Sequence, residues 1–124
     1  MIKKVNDSNW KEWTLENICI DFVVGEFLFT DSYEKKYVRF LCKAYIGLEL
    51  LGHWDESEIS SISIKFSGDV IDKSLDLVHQ RYREAPSPGG GERLTNSSWI
   101  QLNITLSDGL CIKVACMEID VKIK

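Results

Sequence analysis

The longest regular pattern in the sequence is an alternation of apolar and polar side chains over residues 37–51. The even-numbered positions are all apolar: Val38, Phe40, Cys42, Ala44, Ile46, Leu48 and Leu50. A period of two residues is typical of a β-strand with one buried face, because successive side chains of a strand point to opposite faces. Leu41, Tyr45 and Leu51 add apolar side chains to the second face. We therefore expect part of this strand to be covered on both sides, as in a central strand.

Other segments of the chain show the same period. They are residues 17–24, 59–66, 100–106 and 111–123. Gly25 predicts a bulge, after which residues 27–29 continue the first of these strands, and the polar residues 30–36 predict a turn. In the second segment, Ile62, Ile64 and Phe66 are predicted to share the buried face.

The last two segments predict a hairpin. Ser107, Asp108 and Gly109 separate them, and Asp-Gly supplies the positive backbone angles of a tight hairpin turn. In the final segment the apolar, inward-facing positions are even-numbered at Ile112 and Val114. They are odd-numbered afterwards, at Met117, Ile119, Val121 and Ile123. A shift of one residue inverts every side chain of a strand, which predicts a bulge near residues 115–117.

One segment has the period of a helix. Ile71, Leu75, Val78 and Tyr82 are spaced four, three and four residues apart, which places them on one helix face. We predict a helix over residues 70–84 with Asp69 as its N-cap. Two prolines and three consecutive glycines follow within residues 85–98 and predict a flexible connector.

Strands dominate and do not alternate with helices, so the fold class is predicted to be α+β. We expect a mostly antiparallel sheet of five or six strands, the helix at about 70–84 packed on one face, and a turn of helix at residues 8–13. A length of 124 residues fits a single domain, here residues 1–124. The N-terminal residues lack the apolar core of a signal peptide and no apolar run is long enough to cross a bilayer, which predicts a cytoplasmic location without membrane contact.

The net charge argues against one class of partner, and the cysteine pattern indicates the state of the thiols. A net charge of −4 and a pI near 5.2 argue against a nucleic-acid binder, because affinity for phosphates comes from clustered Lys and Arg. Four cysteines lie among apolar residues without metal-binding spacing, and we predict that they are reduced, buried thiols. They are Cys19, Cys42, Cys111 and Cys116.

The segment GHWDESE, residues 52–58, is the main candidate site. One interpretation is that the strand leaves the sheet here and forms a docking rim for a protein partner, with Trp54, Asp55, Glu56 and Glu58 as contacts, joined by Trp99. The alternative is a small-ligand or metal-dependent enzyme using His53, Asp55 and Glu56, or a metal site of His53, Asp55 and His79. A strand that surfaces into a soluble turn, with or without a docking role, is favoured over catalysis because a catalytic base needs a convergent partner and an orienting third group. No cofactor is predicted.

A resemblance points to the same class of protein. The pieces YIGLELLGHWDES, ISSISIKFSGDVIDKSL, PGGGERL and WIQLNITLSDGLCIKVAC, spread over residues 45–116, resemble small uncharacterised bacterial proteins of the kind found beside polymorphic toxins. That immunity class implies a non-catalytic cytosolic protein that binds a cognate toxin domain and blocks its active site, with acidic residues against a basic face. A further hypothesis is a self-associating structural subunit, in which an edge strand at residues 117–124 pairs with its copy.

Overall fold

The structure, a computed structural model, describes residues 2–21, 23–31, 35–50, 58–84 and 98–123. Two helices and eight strands lie in these ranges. In chain order they are α1 Ile2–Asp7, β1 Thr14–Ile20, β2 Val24–Asp31, β3 Lys36–Lys43, β4 Gly47–Glu49, β5 Ile59–Lys65, α2 Asp69–Glu84, β6 Ile100–Leu106, β7 Cys111–Cys116 and β8 Glu118–Ile123.

The strands form two antiparallel sheets of four strands each. The first sheet has the order β1-β2-β3-β8 and the second the order β4-β7-β6-β5. The α+β class and the antiparallel pairing predicted from the sequence are confirmed. The single sheet of five or six strands was wrong in detail, because two of the predicted long strands each bend from one sheet into the other.

These two bends lie side by side. The predicted strand over residues 37–51 is interrupted at residues 44–46, where Ala44 takes a positive φ of 53°. Its partner is interrupted at Met117, which donates its N–H to the Lys43 carbonyl at 3.1 Å, while Ile46 donates to the Ala115 carbonyl at 2.8 Å. The bulge predicted near residues 115–117 is instead a break between β7 and β8, and the inward parity changes there because the chain passes from one sheet to the other.

The main core lies between the two sheets. Its largest fully buried side chains include Phe27, Phe29, Phe40, Leu102, Ile104 and Ile112. Trp10, which follows α1, closes one end of this core with its ring 5.8 Å from that of Phe40 and 6.2 Å from that of Phe29. The indole Nε1 of Trp10 donates to the Val5 carbonyl at 3.0 Å, so the buried ring leaves no unsatisfied donor.

The helix α2 covers the opposite face of the second sheet and makes a third layer. Val70 and Ile71 pack there against Trp99 and Ala115. The approach is close at Gly47, where a Cβ would lie 2.1 Å from the Ser74 hydroxyl oxygen. The predicted helix is confirmed, with its first residue at Asp69.

Three local predictions were wrong. Gly25 marks no bulge: β1 ends at Ile20 and pairs antiparallel with β2, which begins at Val24, and the Asp21 carboxylate accepts the N–H groups of Val23 and Val24 between these strands. The N-terminal helix is α1, before residues 8–13. Phe66 follows the end of β5 with 68% of its surface exposed, so it does not join the buried face.

Candidate functional site

Most of the predicted docking rim lies outside the described residues. This applies to His53, Trp54, Asp55 and Glu56, and also to the connector over residues 85–97. Glu58 is described, and its side chain is exposed, as a contact residue requires.

Glu58 lies where three chain segments meet. It forms a β-bridge with Thr14 at the start of β1, and its carbonyl accepts the N–H of Ser107 at 2.9 Å. The next residue, Ile59, donates its N–H to the Trp13 carbonyl at 2.9 Å. The predicted rim therefore ends at a backbone position held by β1 and by the β6–β7 turn.

Two predicted site residues have environments that differ from the expectation. Trp99 is only 5% exposed and packs under α2 with Val70 and Ile71, so it is a core residue and offers a partner almost no surface. The sequence does not show that α2 covers the Trp99 side chain. His79 lies beside the apolar stripe of α2 in the sequence, yet its side chain is exposed.

A buried side chain with four hydrogen bonds joins the start of α2 to the second sheet. The buried Gln101 side chain accepts the N–H groups of Val70 and Ile71 through Oε1, at 3.0 and 3.2 Å. Its Nε2 donates to Asp69 Oδ1 at 3.1 Å and to Asn103 Oδ1 at 2.8 Å. Gln101 therefore caps the helix in place of the predicted N-cap Asp69, and all its polar atoms are used within the fold.

Asp69 is held by a cation as well as by Gln101. The Lys113 ammonium donates to Asp69 Oδ2 at 2.9 Å, and this bond and the one from Gln101 lower the pKa of Asp69 to about 2. The same pairing raises the pKa of Lys113. This carboxylate therefore stays ionised at neutral pH and is partnered, which makes it unsuitable as a general base.

The outer surface of α2 offers a second, more open set of side chains. We call it the α2 ridge, and it consists of Phe66, Asp69, Asp72, Asp76 and Leu77. Phe66 and Leu77 are 68% and 62% exposed. The three aspartates are spaced three and four residues apart along the helix, and the Asp69 carboxylate accepts hydrogen bonds from Gln101 and Lys113 of the second sheet. Asp72 and Asp76 are exposed and form no ion pair with any described residue.

The outer face of the first sheet has a different character. Two ion pairs lie there, Glu26 with Arg39 at 2.7 Å and Asp120 with Lys43 at 2.5 Å, while Lys122 pairs with no described residue. A shallow cleft of about 180 Å³ opens over this face beside Leu28 and Lys122. Because the charges are largely neutralised in pairs, this face attracts a charged partner less strongly than the α2 ridge does.

The cysteines give no sign of nucleophilic chemistry. All four are free; Cys42 and Cys116 are buried as predicted, while Cys19 is exposed and Cys111 is half-buried, which corrects the expectation for these two. A hydrogen bond with the Cys116 thiol and the burial of both raise the pKa of the Cys42 thiol far above its ordinary value. A protonated thiol is a poor nucleophile, so this pair fills space in the core.

Metal chemistry has no geometric support in the described part of the chain. No three His, Cys, Asp or Glu side chains converge there into a set that would hold a metal ion. His53 and Asp55 lie outside that part, so the metal hypothesis stays a prediction. Among the described helices, none combines the length and apolarity needed to span a membrane. Comparisons with protein-family models, with curated proteins and with solved structures found no match to this chain.

Proposed function

We propose that this protein is a non-catalytic protein-binding module of the immunity type, which neutralises a toxin domain by covering a basic surface. The α2 ridge carries the proposal. The ridge combines exposed Phe66 and Leu77 with the Asp72 and Asp76 carboxylates, which no described cation neutralises, and this combination of apolar anchors with unpaired charge suits a protein interface better than open solvent.

The partner's chemistry follows from the ridge. Asp72 and Asp76 favour Lys or Arg side chains, and Phe66 favours an apolar pocket near them. Charge complementarity of this kind mainly accelerates association, whereas a buried aromatic anchor slows dissociation. We therefore infer a partner with a basic rim around an apolar hollow, as the active site of an enzyme that acts on nucleic acid would present.

The docking rim predicted from the sequence remains a second contact surface in this proposal. Glu58 precedes β5 and Phe66 follows it, so these two residues lie at opposite ends of a strand of seven residues, about 25 Å apart. Trp54, Asp55 and Glu56 belong to the Glu58 end by sequence. Substitutions at the two ends therefore test the two surfaces separately.

The experiment begins with the reading frame next to the gene. The protein encoded by that neighbouring reading frame is expressed with and without the present protein. The binding of the two proteins to each other is measured by calorimetry at several salt concentrations. The double substitution Asp72→Lys and Asp76→Lys should weaken binding by about tenfold or more and reduce its salt dependence. The substitution Phe66→Ala should increase the dissociation rate while changing the association rate little.

The control is a double substitution with the same change of net charge at exposed sites away from the ridge, Asp7→Lys and Glu16→Lys. It should leave the affinity within about twofold, because screening limits the reach of surface charges to roughly 10 Å. If the control and ridge variants weaken binding equally, net charge and not the ridge is responsible. A neighbouring product that neither binds nor is inhibited by this protein counts against the immunity role.

A further inference from the structure

The edge strand β8 is the feature that the proposed function leaves unused. It is the last strand of the first sheet, and β3 is its one hydrogen-bonded neighbour among the described residues. The six residues of β8 run in unbroken register with β3, from Glu118 opposite Lys43 to Ile123 opposite Val38. An edge strand of this kind presents a row of backbone N–H and C=O groups to any strand that approaches it.

The other three sheet edges each carry a feature that hinders such pairing. At β5, the Asn6 side chain donates to the Ile64 carbonyl at 3.0 Å and accepts the Ile64 N–H at 2.6 Å, which imitates a neighbouring strand. At β1, the register shifts between Leu15 and Asn17. The strand β4 is only three residues long and lies beside α2. Bulges, short strands and covered edges are the usual protections of natural sheets.

The sequence of β8 is complementary to itself. Asp120 and Lys122 point to the outer face of the sheet, opposite Leu41 and Arg39, while Val121 points to the core side. In an antiparallel pair of two copies centred on Val121, Asp120 of each copy lies directly opposite Lys122 of the other. A shift by two residues in either direction would instead place Asp120 against Asp120 or Lys122 against Lys122. The register centred on Asp120 also brings Lys122 opposite Glu118, but it sets the two Asp120 carboxylates against each other, whereas the register centred on Val121 joins Asp120 to Lys122 without such a like-charge pair.

Features of the monomer surface match this pairing. Arg39 and Lys122 are direct cross-strand neighbours of like charge, and Lys122 forms no ion pair with any described residue. The second copy's Asp120, which also pairs with its own Lys43, would bring a carboxylate beside Lys122. On the core side, Ile123 is 60% exposed and lies at a cavity of about 210 Å³ lined also by Trp10 and Val121. In the same register the second copy's Ile119 would lie opposite Ile123 and reduce its exposure.

We propose that β8 pairs with β8 of a second copy of this chain, antiparallel about Val121, and joins the two first sheets into one continuous sheet of eight strands. The interface is isologous, because each copy contributes the same residues across a two-fold axis. The α2 ridge lies on the far side of the second sheet from this strand. The dimer therefore leaves both ridges open, and the inference is independent of the proposed function.

The test uses two opposite charge reversals in the full chain. Sedimentation velocity over micromolar to sub-millimolar concentrations should show a monomer–dimer equilibrium for the natural sequence. Lys122→Glu replaces both charge-complementary pairs with repulsive ones and should raise the dimer dissociation constant by about thirtyfold or more. Asp120→Lys should do the same. An equimolar mixture of the two variants restores opposite charges in both pairs and should form a heterodimer.

Matched controls carry the same charge changes away from β8: Lys65→Glu on β5 and Glu16→Lys on β1, both at exposed positions. They should dimerise like the natural sequence, and far-UV circular dichroism should show the same fold for all variants. The proposal is overturned if the natural sequence stays monomeric throughout, if the controls dissociate as strongly as the β8 variants, or if the two reversed variants remain monomers when mixed. Lys122 is exposed, so its replacement by glutamate removes no core contact. We therefore expect the variant to fold and the dimer measurement to be interpretable.

Discussion

Replacing Gln101 with methionine tests how α2 is attached to the second sheet. Methionine has nearly the length and volume of glutamine, so Gln101→Met removes hydrogen bonds and creates little cavity. The buried N–H groups of Val70 and Ile71 lose their common acceptor at the start of α2. Each buried donor without a partner costs about 1–3 kcal/mol, and the apolar methionine recovers part of this by burial. We expect a net loss of about 3 kcal/mol in the free energy of unfolding.

Urea denaturation followed by tryptophan fluorescence measures this loss. The midpoint should fall while the slope with urea concentration stays constant, because the surface exposed on unfolding does not change. For a domain of this size the melting temperature should fall by about 10 °C. The matched control is Asn103→Ala, which removes one bond from Gln101 Nε2 but leaves both helix N–H groups bonded. It should cost less than about 1 kcal/mol.

Two outcomes would refute the reasoning. A Gln101→Met variant within about 1 kcal/mol of the natural protein would mean that water or another group satisfies the start of α2. An Asn103→Ala variant as unstable as Gln101→Met would mean that the bond between the two side chains, and not the helix cap, carries the energy.

The remaining predictions concern one ion pair, one close contact and one sheet edge. The folded-state pKa of Asp69 is about 2, below its ordinary value of 3.8. The contribution of this carboxylate to stability is therefore complete above about pH 4 and is lost as the pH falls toward 2. The substitution Lys113→Met should move the pKa of Asp69 back toward 3.8 in a carboxyl NMR titration. Gly47→Ala should destabilise the fold by about 1–3 kcal/mol in urea, because the new Cβ overlaps a side chain of α2. Asn6→Ala should lower the melting temperature and increase light scattering on heating, because it uncovers the edge of β5; an unchanged scattering profile would contradict that role.

The α2 ridge was only partly visible in the sequence. The spacing of Asp69, Asp72 and Asp76 relative to Ile71 and Leu75 is enough to put the aspartates on the outer side of a helix. Phe66 was missed, because it continues the alternation of β5 and nothing local shows that the strand ends at Lys65. A turn signal at Ser67 and Gly68 was available, and it would have shortened the predicted strand by one residue.

Local patterns in the sequence determined the strand segments, the position of α2, the Asp-Gly turn and the parity change before β8. Each of these depends on neighbours within a few residues, where side-chain period and turn chemistry act directly. The tertiary structure alone decided that two long strands bend between sheets, that Trp99 is covered while Phe66 is exposed, and that Gln101 caps a helix 30 residues away in the chain. These facts depend on which surfaces meet in space, and no local pattern specifies that when the partners are far apart in sequence.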